Sequence, residues 1–169
     1  NEIVYTGPDF FEEMLTENAG NVIVLSGNNR KKAEYISRSV NAGFNVLADK
    51  PMIITPEDFP LLEAAFVSAN EKSILLYDIM TERFEITTIL QKLLSMNTDI
   101  FGTLILGDKE NPAVTKESAH HFSKIVSGNP LLRPAWFFDV EQQGEGLVDV
   151  TTHLVDLVQW ECFPEQVLQ

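Results

Sequence analysis

Three ionisable side chains near the end of the chain have the spacing of one helix face. Asp149, His153 and Asp156 stand four and three residues apart in the otherwise apolar segment 144–160. Carboxylates at these distances could fix the tautomer of the imidazole for proton transfer, or could hold a divalent ion with it. An ordinary solvated helix face has the same pattern. Spacing alone therefore leaves acid/base chemistry, metal binding and a solvated face open.

Two details of this segment favour a site over a plain solvated face. The polar face carries no Lys or Arg, and it is introduced by Gly144 and Gly146, which permit close approach of the backbone to a ligand. These glycines do not form a dinucleotide fingerprint, because the third glycine of that motif is absent.

A lysine at the end of an apolar run is the second candidate. Lys50 stands between Asp49 and Pro51, directly after the run 44–48. A lysine in a tight, partly desolvated turn can exchange protons with a substrate, and the proline would fix the backbone that aims it. The alternative is an ordinary surface turn.

Further polar side chains could bind substrate hydroxyls or a carboxylate. Arg83 is one, and the adjacent pair His120 and His121 is another. Neighbouring helical residues point about 100° apart, so at most one of the two histidines, taken here as His121, faces a site. Each of these residues could equally be a surface ion-pair or packing residue.

The elements that must position these residues alternate between strand and helix. Short apolar runs predict strands, and apolar residues at helical spacing predict helices between them. The predicted strands are 21–25, 44–48 and 73–77, and the predicted helices are 30–40, 55–70 and one that begins at Thr81. Continuous apolar strands joined by helices predict an α/β fold with a parallel sheet.

A parallel sheet gathers the carboxyl ends of its strands at one edge, where ligands bind in open α/β folds. The edge predicted here collects Ser26-Gly27-Asn28, Asp49-Lys50-Pro51 and Asp78.

After Leu94 the pattern changes to that of a second, α+β domain. A strand is predicted at 101–106, a loop at 107–116, a helix at 118–126, and residues 133–140 are rich in aromatic side chains. We therefore expect a domain boundary near residues 78–82.

Composition narrows the class of protein. The 169 residues are 44% hydrophobic and 22% charged, as in a globular protein. A formal charge of −13 with only 12 Lys and Arg argues against nucleic-acid binding, and no apolar run is long enough to predict a membrane helix. One cysteine, Cys162, excludes an internal disulfide framework and fits a cytoplasmic location.

Two segments in matching order resemble a known family. Val46-Leu47-Ala48-Asp49-Lys50-Pro51 resembles the Glu-Lys-Pro signature of the Gfo/Idh/MocA oxidoreductases, and Gly144 to Asp149, followed by His153 and Asp156, resembles their glycine-rich Asp-x-x-x-His-x-x-Asp helix. Ser26-Gly27-Asn28 is similar to the Thr-Pro-Asn turn of the family. The resemblance runs from about Tyr5 to the C-terminus.

The resemblance implies a Rossmann-like, NAD- or NADP-dependent dehydrogenase that acts on a sugar, polyol or related hydroxy compound, as a homo-oligomer in its full-length form. It makes residues 1–80 the C-terminal part of the nucleotide-binding domain and residues 81–169 the beginning of the α+β substrate domain. It makes Lys50 the main catalytic lysine, His153 the acid/base and Asp149 the residue that positions substrate or His153. It assigns cofactor contacts to Ser26, Gly27, Asn28, Asp49, Lys50 and Pro51, and substrate contacts to Lys50, Asp149, His153, Arg83 and His121.

The chain departs from the family pattern at three points. Asp49 replaces the usual Glu, Lys31 stands where many members carry His, and no Gly-x-Gly-x-x-Gly occurs in the sequence. We therefore expect an interior piece of a longer enzyme. The alternative hypothesis is a catalytically silent sugar-binding or regulatory relative with the same fold.

Overall fold

A computed structural model describes residues 2–117 and 123–166. These residues form two compact units. The first comprises the chain up to Ile79 together with Asp139–Glu145, and the second comprises Met80–Phe138 and the residues from Gly146 onward.

The first unit is built on a parallel three-stranded sheet. Its strands β1 (Val22–Leu25), β2 (Asn45–Asp49) and β3 (Leu76–Ile79) lie side by side in chain order. In the register, Leu25 is opposite Ala48, which in turn is opposite Asp78. The predicted α/β fold with a parallel, Rossmann-like sheet is confirmed.

Three helices of the first unit are α1 (Phe10–Glu17), α2 (Lys32–Asn41) and α3 (Phe59–Glu71), the last preceded by a 3₁₀ turn at Pro56–Asp58. Two of them, α2 and α3, follow the predicted pattern, whereas α1 was not predicted. Burial of apolar faces of α2 and α3 against β2 and β3 forms the core. The fully or nearly buried core residues are Ile36, Val40, Val46, Ala48, Ala65, Ala69 and Leu76.

The predicted position of the third strand is wrong. The apolar run 73–77 predicts that Asp78 follows the strand, whereas β3 begins only at Leu76 and includes Asp78. Ser73 has a positive φ of 56° after α3, so the chain is still turning there. Asp78 is an exposed strand residue whose neighbour across the sheet is Ala48.

The second unit is mainly helical. Its longer helices are α4 (Ile86–Ser95) and α8 (Thr152–Cys162). The Glu85 carboxylate accepts the amide N–H groups of Thr87 and Thr88 and so caps α4. The remaining elements are a 3₁₀ turn at Thr81–Phe84, α5 (Thr98–Phe101), β4 (Ile125–Val126), β5 (Asn129–Pro130), a 3₁₀ turn at Ala135–Phe138 and α7 (Gly146–Asp149).

Two predictions for this region are wrong. Residues 102–106 are not a strand, because within the described chain they pair with no neighbour and Leu106 is fully exposed. Residues 125–126 belong to a two-residue hairpin with β5 rather than to a helix. Ser127 and Gly128 both have positive φ, as such a tight turn requires. Residues 118–122 lie outside the described residues.

The segment 144–160 is not one continuous helix. It divides into α7 and α8 at Val150 and Thr151, whose amide N–H groups both donate to the Gly146 carbonyl. Just before it, α6 (Val140–Gln143) belongs to the first unit and is capped by the Asp139 carboxylate. No helix of the described chain is long and apolar enough to cross a membrane.

Candidate active site

The structure brings the two predicted cofactor-contacting turns to one edge of the sheet. Because β1 and β2 run parallel with Leu25 opposite Ala48, Ser26-Gly27-Asn28 and Asp49-Lys50-Pro51 follow at the same side. Lys50 is half-buried, Pro51 is buried, and the peptide bond between them is cis. Gly27 has a φ of +103°, and a Cβ built there would meet open space.

A cavity opens beside the first of these turns. Its volume is about 540 Å³, and Phe11 and Tyr35 are among its apolar lining residues. Its polar lining comes from Ser26, Asn28, Arg30, Lys31 and Lys32. The strand edge therefore combines an exposed glycine backbone, polar side chains and apolar walls, the composition of a small-molecule site.

The structure adds a residue that the sequence analysis missed. Lys32, on the first turn of α2, exposes only 2% of its surface, whereas Lys31 is exposed. The Lys32 ammonium donates to Asn29 Oδ1 at 2.5 Å and to the Asp49 carbonyl at 2.9 Å. The available signal was its place four residues before the core residue Ile36, which puts Lys32 on the buried face.

The turn after β1 also holds α6. Asn29 Nδ2 donates to the Gln143 carbonyl at 2.9 Å, and the Asn29 amide donates to the Gln142 carbonyl at 3.1 Å. Asn28 Nδ2 donates to Gln142 Oε1 at 2.9 Å. The hydrogen bond from Gln142 Nε2 is the main cause that lowers the pKa of Asp139. The side-chain contacts of Asn28 and Asn29 with α6 join residues 114 positions apart, so no local pattern predicts them.

In the second unit, Arg83 and Asp156 form a two-point ion pair. Arg83 Nε donates to Asp156 Oδ2 at 2.7 Å, and Nη2 donates to Oδ1. The Asp156 side chain is 11% exposed and that of Arg83 is 31% exposed. The pair ties the 3₁₀ turn at Thr81–Phe84 to α8, so Asp156 is engaged by a cation of the chain itself.

His153, one turn before Asp156, faces another residue of the same 3₁₀ turn. The Glu82 carboxylate contacts His153 Nδ1. A carboxylate on Nδ1 fixes the tautomer of an imidazole and leaves Nε2 to accept a proton. The family resemblance proposes Asp149 as the residue that positions substrate or His153. Glu82 has no local signal because it is 71 positions from His153.

Asp149 and His153 belong to different helices. Asp149 ends α7 and is 7% exposed, while His153 is in α8 beyond the break at Val150 and Thr151. No group of three or more His, Cys, Asp or Glu side chains in residues 2–117 and 123–166 is arranged to hold a metal ion. The predicted substrate residue His121 is outside the described residues.

Glu161 is another buried carboxylate of the second unit, and it accepts hydrogen bonds from two side chains of that unit. Glu161, 4% exposed, accepts from Lys116 Nζ at 2.8 Å and from Gln91 Nε2 at 2.9 Å. Burial and the neighbouring Glu161 raise the pKa of the Cys162 thiol, which favours the unreactive protonated form.

The chain resembles known oxidoreductases. Residues 90–169 match the family described as "Putative oxidoreductase C terminal domain". A solved structure described as a putative oxidoreductase from Parabacteroides merdae is 58% identical, with a TM-score of 0.92 over 99% of this chain and 38% of that one. No curated protein matches the chain.

More distant solved structures share the fold. The WlbA dehydrogenase from Bordetella pertussis, solved with NADH and UDP-GlcNAcA, is 18% identical, with a TM-score of 0.59 over 89% of this chain and 42% of its own. Levoglucosan dehydrogenase, solved with NADH and levoglucosan, is 17% identical, with a TM-score of 0.61 over 89% of this chain and 37% of its own.

The chain thus shares the Rossmann-like fold of these two dehydrogenases. The resemblance to the Gfo/Idh/MocA-type oxidoreductases noted from its motifs is confirmed. The chain spans 38% of the length of the Parabacteroides merdae relative.

Proposed function

We propose that the protein is an NAD- or NADP-dependent oxidoreductase that transfers hydride to or from a sugar, polyol or related hydroxy compound. The single observation that carries the proposal is the placing of Lys50 at the carboxyl end of β2, beside the polar turn that ends β1. In this proposal residues 1–80 serve the cofactor and residues 81–169 begin the substrate domain.

The carboxyl edge of the sheet, at the ends of β1 and β2, fits the nicotinamide half of the cofactor. Open space over the Gly27 backbone and the polar groups of Ser26, Asn28, Asp49 and Lys50 suit an amide- and hydroxyl-bearing ligand. The sequence has no Gly-x-Gly-x-x-Gly turn for the pyrophosphate. A bound nicotinamide would supply the acceptor or donor of the hydride at the carbon that bears the reacting hydroxyl.

The side chains of the chain manage the hydroxyl proton. As the C–H bond breaks and the carbonyl forms, Lys50 donates a hydrogen bond to the substrate oxygen and stabilises the charge that develops on it. His153 Nε2 accepts the hydroxyl proton, and Glu82 holds the imidazole in the tautomer this step needs. Asp149 and Arg83 are assigned to substrate hydroxyls, with Arg83 fixed by Asp156.

The choice of a hydroxylated substrate rests on the chemistry of these groups and on the relatives. Lysine, carboxylate and guanidinium groups are hydrogen-bonding partners for hydroxyls. The levoglucosan and UDP-GlcNAcA complexes of the two dehydrogenases described above support a carbohydrate.

Turnover of the full-length protein tests the proposal. Lys50→Met and His153→Asn, assayed with NAD or NADP and a panel of sugars and polyols, are each expected to lower kcat by about 10²- to 10⁴-fold, the usual contribution of a positioned acid or base. Cofactor affinity, measured by fluorescence titration, should change little for His153→Asn. Wild-type turnover in either variant would remove its residue from the reaction.

The control is Lys92→Met, which removes a lysine that lies over the Trp160 ring in the second unit. It should leave kcat unchanged. A wild-type protein that binds cofactor but oxidises no member of the panel would favour the catalytically silent sugar-binding or regulatory relative.

A further inference from the structure

The buried lysine of α2 has no part in the reaction described above. The Lys32 ammonium contacts two oxygens, Asn29 Oδ1 in the turn after β1 and the carbonyl of Asp49 at the end of β2. Both strand ends are those assigned to the cofactor. One cation of the chain therefore joins the two turns.

The Asp49 carbonyl belongs to the peptide bond that leads into Lys50. Because a peptide unit is planar, a hydrogen bond that holds this carbonyl also fixes the amide N–H and Cα of Lys50. On the other side, the Pro51 ring restricts its own backbone. The direction in which the Lys50 side chain leaves the backbone is thus set from both sides.

Burying the Lys32 ammonium in the interior has a free-energy cost. Burial of a charge is unfavourable unless hydrogen bonds compensate it, and a methionine of similar length would fill the position without that penalty. The charge is explained instead by the hydrogen bonds that the ammonium makes with both turns. Asn29, itself 2% exposed, passes the constraint on to α6 through Gln142 and Gln143.

We propose that Lys32 is a positioning residue for Lys50, acting through the Asp49 carbonyl and the Asn29 side chain. The inference rests on the proposed function, since it concerns the lysine which that function assigns to the substrate oxygen. It also predicts a property of Lys50 that can be measured without substrate or cofactor.

The test is competitive labelling of lysines in the full-length protein with trace acetic anhydride, read by mass spectrometry. In Lys32→Met the labelling rate of Lys50 is expected to change by about threefold or more, the lower range of coupling within one hydrogen-bond network. Lys92 and Lys116 should keep their wild-type rates. The matched control is Lys31→Met, which removes the adjacent exposed lysine and should leave Lys50 unchanged.

An unchanged Lys50 rate in folded Lys32→Met would overturn the inference. If that variant does not fold, Lys32→Gln decides by the same comparison, because it keeps a donor but loses the charge. Equal changes at Lys50, Lys92 and Lys116 would show general loosening and would also count against positioning.

A double-mutant cycle on kcat separates the inference from the proposed function. Lys32→Met should lower kcat in the wild-type background and have no further effect in Lys50→Met, whereas independent multiplicative losses would overturn positioning. Absence of hydride transfer in the wild type would contradict the proposed function. It would leave the positioning of Lys50 by Lys32 standing, because the labelling rates are measured without turnover.

Discussion

The ion pair between Arg83 and Asp156 should be one of the strongest single polar contributions to the second unit. Its geometry is two-point, with Nε to Oδ2 at 2.7 Å, and the two side chains are 31% and 11% exposed. Exposed pairs contribute about 0–1 kcal/mol, and breaking a buried pair costs about 3–5 kcal/mol. We expect an intermediate loss of about 2 kcal/mol for Asp156→Ala.

Most of that loss is the penalty of leaving one charge buried without its partner. Arg83→Met combined with Asp156→Ala should therefore be no less stable than Asp156→Ala alone, with a coupling of about 1–2 kcal/mol. Urea unfolding of the full-length wild type, both single variants and the double variant gives these values. The control pair, Arg38 with Glu34, is more exposed and 3.5 Å apart, and it should show about 0.5 kcal/mol or less.

The same cycle has a functional readout. Asp156 and His153 share α8, and both meet the 3₁₀ turn at Thr81–Phe84. Loss of the pair should loosen the Glu82 contact that orients His153 and lower kcat together with stability. Additive free energies for Arg83→Met and Asp156→Ala would refute the reasoning, because they would show that neither charge depends on the other.

Three further changes test single features of the fold. Ile36→Ala in the core of the first unit should cost about 2–5 kcal/mol in urea unfolding, and Leu47→Ala, at a 38% exposed position, should cost much less. Gly27→Ala should cost about 1–3 kcal/mol because φ is +103°, whereas Gly20→Ala, with equal space and no positive φ, should cost less than 1 kcal/mol, as judged by the same unfolding curves. The Thr87 hydroxyl and the amide N–H groups of α4 lower the pKa of Glu85 from 4.5. The stabilisation by the Glu85 carboxylate is therefore present above pH 4.5 and is lost as the pH falls through the lower pKa of the folded state. The difference in thermal stability between wild type and Glu85→Gln should vanish in acid, and a difference that persists there would contradict the cap.

Much of the first unit could be predicted because its signals are local. The apolar runs before Ser26 and Asp49 and the helical spacing of Ala33, Ile36 and Val40 need no knowledge of distant residues. The sheet edge then follows from parallel strands. The start of β3 was misplaced, since the apolar run there begins before the turn after α3 has ended, and α1 and α6 were not predicted.

What escaped prediction depends on residues far apart in the chain. The charge of Lys32 is compensated by the Asp49 carbonyl, and Asn29 holds α6 from 114 positions away. Likewise, Glu82 contacts His153 Nδ1 from a distant part of the chain, and the break between α7 and α8 ends the helical register that spacing implies. The strand expected at 101–106 failed for a related reason, since a strand forms only with a partner.

Isotope transfer tests the central claim most directly. A sugar or polyol deuterated at the carbon of the reacting hydroxyl is incubated with oxidised cofactor and the full-length protein, and the reduced nicotinamide is analysed by mass spectrometry. The proposal predicts that deuterium appears on the nicotinamide with the wild type and is about 10²- to 10⁴-fold slower to appear with Lys50→Met. Cofactor binding with no deuterium transfer from any substrate, or equal transfer by Lys50→Met, would contradict it.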